Sequence, residues 1–236
     1  MCTVTYFLLK DKIVLTSNRD EKPNRSAQKI YTENNIFYPK DATKNGTWFA
    51  VSKNRNAIVL LNGAFENHQK TTDYQRSRGL IVLDLIVEEN IFKSVHSIDL
   101  DNIEPFTLII LQEQNLAEFR WDGTQKHFEI LDASLPYIWS SATLYDAKAQ
   151  EKRKTIFQKF LENETVSEES IWNFHHKKTD DLENGITMKR QNTIQTISTT
   201  QLLISDEMTL RHHNRLDKFS KPEKFFLNNE IHTPSL

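Results

Sequence analysis

The chain has 236 residues, 38% of them hydrophobic, which suffices for one sizeable core, and it reads as one domain over residues 1–236. Its 30 Lys and Arg against 32 Asp and Glu leave a formal charge of −2, so it carries no electrostatic footprint for nucleic acid or an anionic membrane. One cysteine excludes an internal disulfide, no basic-then-apolar leader opens the chain, and no apolar run nears the roughly 20 residues that span a bilayer; a cytoplasmic protein with no integral membrane segment is expected.

VTYFLL and KIVLTS around Lys10-Asp11-Lys12 predict a β-hairpin, and TWFAVS and AIVLLN around Lys53-Asn54-Arg55-Asn56 predict a second. From Thr72 to about Glu89 the pattern turns helical, and the nearly all-round apolar run from Leu80 to Val87 marks a helix covered by other elements. FTLIILQ, LAEFRW and KHFEIL predict three further strands, the last two joined by a turn at Trp121-Asp122-Gly123-Thr124. Between Asp146 and Glu162, Ile156, Phe157, Phe160 and Leu161 recur at helical spacing, and Ser167 with Glu168 and Glu169 starts another short helix. NTIQTISTTQLLIS and EMTLRHH return to strand patterning. Strands, then helices, then strands give an α+β layered fold with mostly antiparallel pairing; periodicity alone does not separate a four-layer sandwich from a two-layer one.

The only cysteine is Cys2, where loss of the initiator Met would make it the N-terminal residue. A lone Cys is ordinarily a small buried hydrophobe. Here, however, the first hairpin folds Asn18-Arg19-Asp20-Glu21 back beside Cys2, with Arg19 and Asp20 expected near the thiol and Glu21 turned elsewhere. A freed α-amine titrates near pH 8 and would place a base next to the thiol, so one residue would supply both nucleophile and base. If Cys2 is terminal and sits near Arg19, that charge and Asn62 are expected to bring the thiol pKa below the free value of roughly 8.5. His175-His176 and His212-His213 lack the i, i+4 spacing of a metal site, and no C-x-x-C-H haem attachment occurs, so no metal and no cofactor is predicted.

Taken singly, Asn18-Arg19-Asp20-Glu21, Asn62-Gly63 and Arg76-Ser77-Arg78 each read as turns or an exposed helix start, and Trp48 reads as core rather than a ligand stack. Their joint order changes the reading. Met1-Cys2, Asn18-Arg19-Asp20-Glu21, Gly46-Thr47-Trp48, Leu61-Asn62-Gly63, Arg76-Ser77-Arg78-Gly79 and a late strand at Thr193 together resemble the NRDE-domain family, also called the Transport and Golgi organisation protein 2 family.

The resemblance implies an N-terminal nucleophile hydrolase fold, a four-layer αββα sandwich with largely antiparallel sheets, similar to choloylglycine hydrolases and penicillin V acylases. It implies Cys2 as nucleophile, Asp20 holding its α-amine, and Arg19 orienting Cys2 or a substrate carboxylate, with Asn18 in that place if the strands align without a gap. Asn62 resembles the oxyanion donor. The chain departs from the family in having Asn45-Gly46-Thr47-Trp48 for Gly-Gly-Thr-Trp, which the tolerance of Asn for positive φ accommodates. It also has Ser140-Ser141 where the family has Ser-Asn, leaving Ser141 as a shorter-reaching substrate contact. Two functions follow: an amidase-like hydrolase of a small acyl or amide substrate, or a carrier of haem or a lipid-like ligand, in keeping with the secretory, lipid, mitochondrial and haem-trafficking associations of animal family members.

Overall fold

The computed structural model describes residues 2–27, 29–69, 74–190, 193–217 and 219–227. The first hairpin pairs β1 (Cys2–Leu9) with β2 (Lys12–Glu21) through a turn in which Lys10 takes φ 54°. Strands β3 (Ile30–Glu33) and β4 (Ile36–Pro39) follow, joined by Asn34 and Asn35, both at positive φ as a tight hairpin turn demands. The next strands are β5 (Phe49–Ser52) and β6 (Ala57–Asn62), and then come helices α1 (Arg78–Ile86) and α2 (Ile91–Ser97). The meander β7 (Phe106–Gln112), β8 (Asn115–Trp121) and β9 (Lys126–Leu131) leads to β10 (Tyr137–Ser140). Helices α3 (Ala147–Asn163) and α4 (Glu168–His176) precede β11 (Lys189–Arg190), β12 (Ile194–Ile204), β13 (Met208–Asn214) and β14 (Glu223–Phe226).

Two antiparallel sheets result, each of seven strands among the described residues. One runs β10-β1-β2-β12-β13-β14, with β11 added along β12, and the other runs β3 to β9 in sequence order. Their inner faces bury Val4, Tyr6, Leu15 and Leu202 against Ile58, Leu60 and Leu108 in one apolar core. Helices α1 and α2 cover the second sheet, and α3 and α4 cover the first, where Phe157, Phe160 and Phe174 pack on Phe7. The order is therefore helix, sheet, sheet, helix: the four-layer αββα sandwich that periodicity left open.

Local signals account for the helix ends. Asp146 accepts from the Ala149 amide, and Ser167 and Ser170 form a reciprocal capping box. The helix expected from Thr72 to Glu89 is shorter, Arg78–Ile86; Thr72 lies outside the described residues, and the first turn begins only after Ser77 in extended conformation. No helix among the described residues is long and apolar enough to cross a membrane.

Candidate active site

The hairpin register sets Cys2 directly opposite Arg19, and residues paired in this way point to the same face. That face looks between the sheets. Asn18 pairs with Thr3 and Asp20 follows Arg19, so both turn to the opposite, helix-covered face rather than toward the thiol as expected. There the Asn18 amide nitrogen donates to the carbonyls of His175 (2.8 Å) and Ile186 (3.0 Å) and its oxygen accepts from Thr199, leaving little for a ligand. Glu21 returns to the Arg19 side and lines the same hollow, contrary to the expectation that it points elsewhere.

Strand β12 helps divide the two faces. Its register shifts between Thr196, paired with Asp20, and Ser198, paired with Arg19. Residues two apart on a regular strand share a face; the bulge instead sends Thr196 to Asp20 and Ser198 to the inter-sheet side. Asp20 is fully buried and accepts from Thr196 Oγ1 (2.6 Å) and Tyr145 Oη (2.9 Å). Burial raises its pKa, while the nearby Arg153 guanidinium, Thr196 and Tyr145 pull it down. Arg153 is itself fully buried, stacked 3.8 Å over the Tyr145 ring and donating to Ser140 Oγ, Thr3 Oγ1 and the carbonyls of Asn184 and Gly185. Sequence reasoning missed Arg153 and Tyr145; on a predicted amphipathic helix Arg153 reads as one more solvated cation.

Arg19 is buried and fixed from two sides. Its guanidinium pairs with Asp41 and lies 3.7 Å over the Trp48 ring, so Trp48 is both core and cation platform. Asp41, also missed, accepts from Arg25 (2.6 Å) and from the amides of Thr43 and Lys44. Its loop closes through Asn45 at φ 58°, the positive value that the Asn-for-Gly departure requires.

Asn62 ends β6, which lies across from β1. Its main-chain oxygen accepts from Ser141 Oγ (2.8 Å), and the Ser141 amide donates to the Cys2 carbonyl (3.1 Å), so Ser141 ties the two strand ends together. The Asn62 side chain lines the hollow and makes no hydrogen bond among the described residues, leaving its amide free to donate. The hollow, with a cavity volume of about 70 Å³, is bounded by Arg19, Trp48, Asn62 and Arg78.

With Met1 preceding it, Cys2 does not meet the condition under which a lowered thiol pKa is expected. Burial pushes the Cys2 pKa above its ordinary value and Asp20 adds to the rise, while Arg19 and the Ser17 hydroxyl pull down less strongly. Together with the positive charge of the chain's terminal amine, these attractions do not offset complete desolvation.

Behind Arg19 the inter-sheet face stays polar, with Ser17, Thr200 and His212 in one cross-strand row. His212 Nδ1 lies 2.9 Å from Thr200 Oγ1, and burial, with His213 and Arg19 nearby, lowers its pKa to about 4. The unfolded chain then binds the extra proton between about pH 6.5 and 4, so stability present above that window is lost as pH falls through it. His212 alone should make the protein about 2 kcal/mol less stable at pH 5 than at pH 7. His212→Asn, which keeps a partner for Thr200, is expected to shrink the difference between urea midpoints at the two pH values; an unchanged difference would refute the assignment.

The layered architecture, with Cys2 at the head of β1, is the fold of N-terminal nucleophile hydrolases. The Transport and Golgi organisation 2 family model matches residues 1–219, and the chain belongs to that family. Among solved structures it is similar to a Caenorhabditis elegans N-acylethanolamine-hydrolyzing acid amidase ortholog, at TM-score 0.59 and 12% identity over 85% of this chain and 92% of that one. It is also similar to two variants of the conjugated bile acid hydrolase from Clostridium perfringens, at TM-scores 0.59 and 0.63 with 9% identity to each. They cover 98% and 97% of this chain, and 93% of each of those chains. A comparison with curated proteins finds no match.

Proposed function

We propose that the chain is an N-terminal cysteine hydrolase that cleaves a non-peptide C–N bond in a small acyl conjugate. The observation that carries this reading is the pairing of Cys2 with Arg19 beside the free amide of Asn62. Met1 lies outside the described residues; its removal would expose the Cys2 α-amine. In this reading the amine takes the thiol proton, sulfur attacks the carbonyl, and the Asn62 amide donates to the oxyanion, a contribution of roughly 100- to 1,000-fold for such donors. Collapse breaks the C–N bond, the proton passes to the leaving amine, and water then hydrolyses the thioester to the free acid. Asp20 fits the task of holding the α-amine, since a strand's terminal nitrogen lies in the sheet plane and is approachable from the helix-covered face. Ser141 orders the strand ends, and Asn18 anchors β2 to α4. A reducing cytoplasm suits a thiol nucleophile.

The complete burial of Cys2 favours a second reading, a carrier of a haem or lipid-like ligand on the same fold. Turnover separates the two. N-acyl substrates should be hydrolysed by protein whose intact mass lacks Met1, and Cys2→Ala should remove that activity while leaving the melting temperature within a few degrees. Because the thiol pKa is raised, iodoacetamide should label Cys2 slowly at pH 7 and faster above pH 9. Absence of Cys2-dependent turnover in Met1-free protein would leave the carrier reading.

A further inference from the structure

The opening beside Asn62 is charged against the sign of the chain. With a net formal charge of −2 overall, two adjoining hollows that share Glu21, Arg25, Lys44, Asn62, Ser77 and Arg78 gather six cationic side chains against three carboxylates. The remaining cations are Arg19, Lys22 and Arg76, and the other carboxylates are Asp41 and Glu104. Arg76 pairs with Asp84, and Arg19, Arg25 and Arg78 pair with carboxylates of the lining, so among the described residues Lys22 and Lys44 carry the unpaired excess; a net positive cleft between low-dielectric walls focuses the field on its contents.

Three features aim that charge at a ligand. Helix α1 begins in the hollow at Ser77–Gly79, with no side-chain cap and no acidic residue in its first turn, so its positive end is uncompensated by its own sequence. Arg19, 3% exposed, lines the same hollow, and its Nη1 is buried with no hydrogen-bond partner among the described residues. Lys44 stands at the rim with no ion-pair partner among the described residues, whereas Arg78 is braced by Glu104 (2.9 Å) and the Pro105 carbonyl (2.9 Å).

We propose that the cleft formed by the α1 N-terminus, Arg78, Lys44 and Arg25 binds an anionic group on the amine portion of the conjugate. The substrate class is thus an N-acyl amine bearing a carboxylate or a phosphate. The assignment rests on the hydrolase reading for its orientation, but the anion cradle is testable without turnover.

The test is calorimetric binding to Cys2→Ala protein of three probes with one acyl chain: N-lauroylglycine, N-lauroylphosphoethanolamine and the neutral N-lauroylethanolamine. At least one anionic probe should bind tenfold or more tightly than the neutral one. The preference should weaken as salt is raised from 50 to 500 mM, because exposed charges are screened over a shorter distance. Comparison of the two anionic probes tells carboxylate from phosphate. Lys44→Met, at an exposed position where folding is not at stake, should cut the anionic-to-neutral affinity ratio several-fold. Equal affinities for all three probes, or no binding of any, would overturn the proposal. Anion-selective binding without Cys2-dependent turnover would overturn hydrolysis and leave the cradle standing; turnover of the neutral amide with no anionic preference would do the reverse.

Discussion

Arg153→Met is expected to destabilise the protein by about 3–5 kcal/mol, the range found when one member of a buried charged group is removed. Arg153 is fully buried between α3 and the first sheet, where it donates to Thr3, Ser140, Asn184 and Gly185. It is also the cation that offsets burial of Asp20, to which it is joined through Tyr145: the guanidinium covers the ring and the ring hydroxyl donates to the carboxylate. Met fills much of the volume but leaves the carbonyls of Asn184 and Gly185 and the Asp20 charge uncompensated. Denaturant midpoints measure the loss. The double variant Asp20→Asn with Arg153→Met should be less unstable than the sum of the two single variants, since removing the carboxylate removes the charge that Arg153 compensates. A loss below about 1 kcal/mol, or strict additivity, would show that Asp20 does not depend on Arg153.

The same cluster shows what the sequence made legible and what it did not. The first hairpin was readable because alternation and a short polar turn mark it, but the sequence left both Asn18 and Arg19 open for the place beside Cys2, and the folded register selects Arg19. Which face each neighbour takes was equally implicit: period two sends Asn18 and Asp20 away from the thiol, a step obscured by reading the four residues of Asn18-Arg19-Asp20-Glu21 as one patch. Strands β3 and β4 were missed although Asn34-Asn35 is a tight-turn signal, because each strand is only four residues long. Strand β14 follows Pro222 at a sheet edge, where charged residues mask the pattern. The partners Asp41, Tyr145 and Arg153 were illegible for a different reason. They lie 22, 125 and 133 or more positions from Arg19 and Asp20 in the chain, and long-range pairing of polar groups leaves no local period. The direction of the thiol pKa was not legible because it turns on burial, which is a property of the folded layers.

Gly46→Ala and Gly79→Ala should each lower stability by about 1–3 kcal/mol, the usual cost of forcing extra carbon into packed structure. Neither glycine needs a left-handed backbone; each is there because two main chains cross. A Cβ on Gly46 would stand 2.5 Å from the carbonyl carbon of Gly79, and one on Gly79 would stand 2.8 Å from both the nitrogen and the oxygen of Thr47. These neighbours are backbone atoms, held by the Thr47 amide donating to the Gly79 carbonyl (3.1 Å) and the Asp41 amide to the Gly46 carbonyl (2.8 Å), so they cannot swing aside as a side chain would. The strain outweighs the roughly 0.4–1 kcal/mol that Gly→Ala gains by restricting the unfolded chain. It also falls on the cleft, because the crossing presses the loop that carries Asp41, Lys44 and Trp48 against the start of α1. Stability loss should therefore come with weakened packing of Trp48 against Arg19, visible as a red shift and rise in solvent quenching of tryptophan fluorescence. Gly123→Ala gives the contrast: its Cβ would meet only the Pro105 ring at 3.5 Å, in a turn at φ +105°, so its cost is conformational and local to the β8–β9 turn. Thermal melts and acrylamide quenching of all three variants provide the measurement. Gly46→Ala as stable as the parent, or a quenching change shared by Gly123→Ala, would mean that the crossing does not hold the cleft in shape.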